Sequence, residues 1–190
     1  ECRKATSTNG FGPIWFTTEA IFNDTCLSLQ NPSTICIKAY PLIQEMIDGI
    51  RKINYQKIFN SAKYLSGLGV GLTPSGDDFL IGLVSSISLL KSYISETEYT
   101  RFCTSVLDAA RGRSNQISWT YLVHAMKSEI SEPIFCFIEC ITVAKSINIR
   151  KTVSKLFSFG ATSGSELGLG AYTGIRILQE KQNGYSYHYS

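Results

Sequence analysis

GLGVGLTPSGDDFLIGL, residues 67–83, changes character halfway along. Gly67, Gly69 and Gly71 alternate with apolar residues, Thr73-Pro74-Ser75-Gly76 follows, then Asp77-Asp78, then the apolar run from Phe79 to Leu83. Proline is favoured in the first turn of a helix, because its missing N–H would have no intrahelical acceptor there. The string therefore predicts a flexible approach, a helix start and a buried helix. Two registers are open. If Thr73 is the N-cap, the first-turn amides and the Ser75 hydroxyl are free to hold an anion. If Ser75 caps, with Asp78 three residues on as its capping-box partner, those groups serve the backbone.

The same grammar returns as Ser163-Gly164-x-Glu166-x-x-x-Gly170, which aligns without a gap on Ser75-Gly76-x-Asp78-x-x-x-Gly82. Gly82 and Gly170 fall inside the expected helices, where glycine costs roughly 0.5–1 kcal/mol relative to alanine. Close backbone approach justifies such a cost. The expectation is that the two helices cross at these glycines and bring both Ser-Gly starts to one cleft. Asp77, Asp78 and Glu166 would line it.

Working outward, Leu42, Ile43, Met46, Ile47 and Ile50 recur at helical spacing from Pro41 onward. Similar faces run through residues 53–65, 79–90, 99–110, 117–126, 133–144, 149–157 and 167–178. Pro13-Ile14-Trp15-Phe16 and Thr34-Ile35-Cys36-Ile37, rich in β-branched and aromatic residues, predict extended structure between 11 and 39. The expected fold is therefore α+β, mostly α. A short β-rich segment (1–40) precedes a bundle of seven or eight helices (41–180), and 181–190 form a peripheral tail, all in one domain.

A chain of 190 residues with 44% hydrophobic and 17% charged residues is long and apolar enough for a real core. The net charge of +3 is scattered, which argues against a nucleic-acid surface. No apolar stretch approaches a membrane span. The first residues lack the basic-then-apolar pattern of a cleaved signal, and the expected location is the cytoplasm. The six cysteines form no C-x-x-C pair and read as small hydrophobes. With only His124 and His188 present, a Ser-His-Asp site is not indicated.

Three chemistries compete for the expected cleft. A Walker-type loop needs lysine after Gly76, and none follows. Two adjacent aspartates can bind magnesium together with substrate oxygens, so Mg2+ is a candidate cofactor, although Asp-Asp at a helix start also matches the helix dipole. Best fitting is a pocket for a small anionic or amide substrate, held by N–H groups and hydroxyls, with Asp77 or Asp78 orienting the amide. Arg111 or Arg113, between two expected helices, would supply the cation, with Arg113 placed to clamp a carboxylate or phosphate; the plainer alternative is an arginine ending one helix before a new N-cap at Ser114 or Asn115.

Gly67 to Gly82 resembles the signature of a bacterial family long catalogued as a domain of unknown function. Its best-understood members are subunits of the oxamate carbamoyltransferase complex of allantoin catabolism. The stretches Ile117-Ser118-x-x-Tyr-Leu, Ser131-Glu132-Pro133 and Thr162-Ser163-Gly164 resemble its other recurrent blocks, in order, between about residues 40 and 178. The resemblance implies phosphorolysis of a carbamoylated amide such as N-carbamoyl-oxamate to carbamoyl phosphate. It also implies partner subunits, one of them similar to an acyl-CoA synthetase. Carried over as site residues are Thr73, Ser75, Gly76, Asp77, Asp78, Ser118, Thr162, Ser163 and Gly164. Ala161 stands where the family commonly has histidine, and Glu166 where it has aspartate. The N-terminal part is shorter than usual.

Overall fold

The computed structural model describes residues 9–23, 29, 32–143 and 148–184. Among them lie nine α-helices: α1 Gly12–Phe22, α2 Thr34–Arg51, α3 Tyr55–Leu65, α4 Ser75–Leu89, α5 Glu96–Ala110, α6 Gln116–Met126, α7 Glu132–Thr142, α8 Ile149–Phe157 and α9 Ser163–Gln182. One 3-10 turn, Lys91–Tyr93, links α4 to α5. No strand occurs among the described residues, so the expected β-rich segment 1–40 is corrected. Where it is described it forms helix over Gly12–Phe22 and from Thr34 onward, and much of the rest lies outside the described residues.

Two local devices explain the correction. Pro13 sits in the first turn of α1, where its missing N–H is harmless, and Ile14, Trp15, Ile21 and Phe22 are all buried around it. Ser33 accepts a hydrogen bond from the Cys36 amide at 3.2 Å, which makes Thr34–Ile37 the first turn of α2. A short aromatic or β-branched run suits a strand or a buried helix equally well, and the caps decide here. Helix α2 then runs through Pro41 rather than starting there. The other helices fall close to the expected faces, with Asn54, Ser95, Asn115 and Asn148 as side-chain N-caps. The expected tail falls mostly outside the described residues.

Helix α4 is buried on every side, which marks it as the centre of the bundle. Its main partner is α9, and the two run parallel: Gly82 lies beside Leu167 and Ala171, and Gly174 beside Ser86. The approach is too close for side chains. A Cβ on Gly82 would stand 2.0 Å from the Leu167 carbonyl oxygen, and one on Gly170 2.0 Å from that of Phe79. Around this pair, α3, α5 and α6 cover the α4 side while α1, α2, α7 and α8 cover α9. Glu19 on α1 accepts from Arg176 and Tyr172 on α9, clamping the N-terminal helix to the pair.

Candidate functional site

Parallel packing sets the positive ends of two helix dipoles side by side, which is unfavourable unless negative charge sits there. Asp77 and Asp78 on α4 and Glu166 on α9 supply it, each buried to within 2% of full enclosure. Neither Thr73 nor Ser75 caps α4. Pro74 holds the N-cap position without a side-chain bond, and Thr162 does the same for α9. The hydroxyls are turned across the pair instead. Thr73 Oγ1 and Ser163 Oγ are 3.1 Å apart, the Ser75 hydroxyl bonds toward Glu166, and the Ser163 hydroxyl faces Asp78.

The two starts are related by an internal pseudo-twofold axis between α4 and α9. Gly76 N–H donates to Leu68 O and its absent Cβ would meet Leu65 O; Gly164 N–H donates to Phe159 O and faces Leu156 O. The reciprocal Gly82–Leu167 and Gly170–Phe79 contacts follow the same rule. So do the back-bonds of Ser85 to Ile81 O and Thr173 to Leu169 O. Sequence grammar and three-dimensional contacts thus repeat together.

The carboxylates do different work. Asp77 Oδ1 accepts from the Gly67 amide at 2.9 Å and the Ser114 hydroxyl at 2.8 Å. It thereby braces the glycine loop against the α5–α6 turn. Asn115 adds a second brace, its Nδ2 donating to Leu72 O at 2.7 Å while its Oδ1 caps α6. Glu166 accepts from the Phe11 amide at 3.2 Å and the Thr162 hydroxyl at 3.1 Å. Gly10, at φ +56°, passes so close that a Cβ there would stand 2.1 Å from Glu166 Oε1. Asp78 lies between the starts, and its Oδ2, like Asp77 Oδ2, is buried with no hydrogen-bond donor.

Burial pushes the Asp78 carboxyl from the usual 3.8 up to about 7. The charges of Glu166 and Asp77 push the same way, and the Ser163 and Thr73 hydroxyls oppose. Burial also raises Glu166, against hydrogen bonds from Ser75, Phe11 and Thr162. Desolvation therefore outweighs the hydrogen bonds these two carboxyls accept.

The sequence-predicted residues divide accordingly. Thr73, Ser75, Gly76, Asp78, Thr162, Ser163, Gly164 and Glu166 come together at the twin start, and Asp77 stands behind it. Asp77 turns to the Gly67 amide and the Ser114 hydroxyl, while Asp78 faces the Ser163 hydroxyl. Among the described residues no three His, Cys, Asp or Glu side chains are placed to hold a metal ion. Arg113 is exposed, its guanidinium 6.0 Å over the Tyr64 ring, and no ion pair or hydrogen bond joins it to the cluster. Ser118 is buried on α6, with its hydroxyl unpartnered and its amide bonded to Asn115. Sequence reasoning missed Gly10-Phe11 and Ser114. A main-chain amide donating to a side chain 155 positions away leaves no local signal.

The site thus defines a class: a helical protein with paired Ser-Gly helix starts enclosing acidic side chains under a braced glycine loop. The family model of the oxamate carbamoyltransferase subunit AllH matches residues 65–175, more than half of the chain. This span opens at the end of α3 and closes in α9, so it contains both starts. The protein belongs to this family. No solved structure matches the chain.

Proposed function

We propose that this chain is the subunit of an oxamate-carbamoyltransferase-like complex that holds a small anionic carbamoyl or amide substrate, or phosphate, at the twin helix start. The observation that carries the reading is Asp78: a buried acceptor with one unpartnered oxygen, set among half-buried hydroxyls at two helix N-termini. Such a surround offers donors for an anion and an acceptor for amide hydrogens at once, which is what a molecule combining a carboxylate with a carboxamide needs. First-turn amides and the Thr73 and Ser163 hydroxyls would bind the anionic end and stabilise oxyanion charge developing as phosphate displaces the amide from a carbamoyl carbon. Asp78 would orient the amide, and Asp77 would fix the loop above it. The other subunits, an acyl-CoA-synthetase-like protein among them, would supply the remaining groups.

A second reading rests on the glycine-to-carbonyl contacts: the repeated motif serves close packing in a non-catalytic scaffold subunit. Ser163→Ala in the reconstituted complex separates the two. On the substrate reading, carbamoyl transfer falls at least tenfold while the melting temperature moves little. Full activity with a lowered melting temperature would favour the scaffold.

A further inference from the structure

The pseudo-twofold axis makes Asp78 and Glu166 counterparts, yet their surroundings differ. Glu166 Oε1 receives the main-chain N–H of Phe11, and Glu166 Oε2 receives the Thr162 hydroxyl. The counterpart of Thr162 is Pro74, which has no hydroxyl and no N–H to give. On the Asp78 arm no described residue supplies an equivalent of the Phe11 amide, and Oδ2 is buried without a donor. Leaving a carboxylate oxygen dry and unpartnered is costly, so a native partner for it is expected. The chain itself displays the chemistry that satisfies the geometry, an amide N–H lying against the acid beside the first turn of the helix.

We infer that the two arms have divided their tasks: Glu166 is closed by the chain's own Phe11 amide, and Asp78 accepts, at Oδ2, an N–H from the primary amide or carbamoyl group of a small ligand. This rests on the substrate reading above and deepens it by assigning the amide-selecting atom. Thr73 and Ser163, at the two helix starts beside Asp78, are half-buried and joined at 3.1 Å. Exchanging their mutual bond for bonds to a ligand leaves no hydroxyl unpaired. Glu166 is a positioning residue under this assignment, holding residues 10 and 11 against α9.

Three molecules of nearly the same shape test it. Oxamate carries an amide where pyruvate carries a methyl and oxalate a second carboxylate, so they differ in what faces Oδ2. Titration calorimetry on the full chain is expected to show oxamate at least tenfold tighter than either isostere. In Asp78→Asn the side-chain amide can donate to oxalate and no charge repels it, so the oxamate-to-oxalate ratio falls at least tenfold. Glu166→Gln should lower thermal stability and leave that ratio unchanged. Binding of oxamate and pyruvate with equal affinity by the unaltered protein would overturn the assignment while sparing the substrate reading, and this comparison needs no variant. If oxamate, pyruvate, oxalate and phosphate all fail to bind, both fall.

Discussion

The sharpest consequence of the central helix pair concerns Gly82. In Gly82→Ala the new Cβ would stand 2.0 Å from the Leu167 carbonyl oxygen, 2.8 Å from its carbon and 3.0 Å from the Ala171 nitrogen. Ordinary contact begins near 3.4 Å, so α4 and α9 must separate by more than an ångström. No rotamer change relieves this, because the obstructing atoms are helical backbone. Overpacking of a core costs about 1–3 kcal/mol and occasionally more. Here the separation also loosens Leu83, Leu169 and Ala171, all fully buried. Alanine's better helix propensity returns only about 1 kcal/mol. The expected net loss is about 2 kcal/mol, which lowers the melting temperature by about 4–8 °C for a chain of this size. Gly170→Ala should behave alike. The double variant should lose at least about 1 kcal/mol less than the sum of the singles, because one displacement of the helices relieves both clashes. Reversible urea unfolding of all four proteins measures this. A Gly82→Ala protein as stable as its parent, or strictly additive losses, would refute the close-packing argument.

Three further outcomes follow from the site and the caps. Asp78 has a folded-state pKa raised from 3.8 to about 7, so the folded protein holds a proton that the unfolded chain has released. Stability should therefore be greatest near pH 4 and fall as pH rises to 7, by at most about 4 kcal/mol from this group at about 1.4 kcal/mol per unit; Glu166, also raised, adds to the same slope. Denaturation of Asp78→Asn between pH 4 and 8 should show a flatter profile, and an unchanged slope would locate the effect elsewhere. Asp77→Ala leaves the Gly67 amide and the Ser114 hydroxyl without their acceptor, at a cost of about 1–3 kcal/mol. Amide exchange should accelerate selectively across residues 67–73. Ser95→Ala removes the capping box that opens α5 and should cost about 0.5–2 kcal/mol by calorimetry, with no effect on ligand binding.

Much of the bundle was legible because its outer helices carry one-sided apolar faces, as Ile43, Met46, Ile47 and Ile50 show on α2. The Ser-Gly repeat was equally plain, and its mid-helix glycines pointed to close approach. Two things were not legible. The stretch from Pro13 to Phe16 is apolar throughout, because even its exposed position holds a phenylalanine, Phe16, so its period is lost. At the twin start, local capping rules assign the Ser75 and Thr73 hydroxyls to their own helix, yet tertiary packing turns them to the facing one. A rule that reads four residues of one segment cannot anticipate an acceptor on α9. The same blindness covers Asp78, whose role comes from its surroundings and not from its neighbour Asp77.

The central pair also constrains the order in which this protein can become itself. Helices α4 and α9 begin 88 positions apart, and α4 is buried on every face. Local pairs such as α2 with α3 and α7 with α8 can dock early, since short loops close quickly. The twin start cannot exist until the residues of α9, from Ser163 onward, have been synthesised. For a helical protein this is an unusually non-local last step, and it predicts slow, late folding in which α4 stays exposed to aggregation. A chain ended before Ser163 would leave α4 exposed for good, so nascent copies should depend on holding chaperones until α9 emerges.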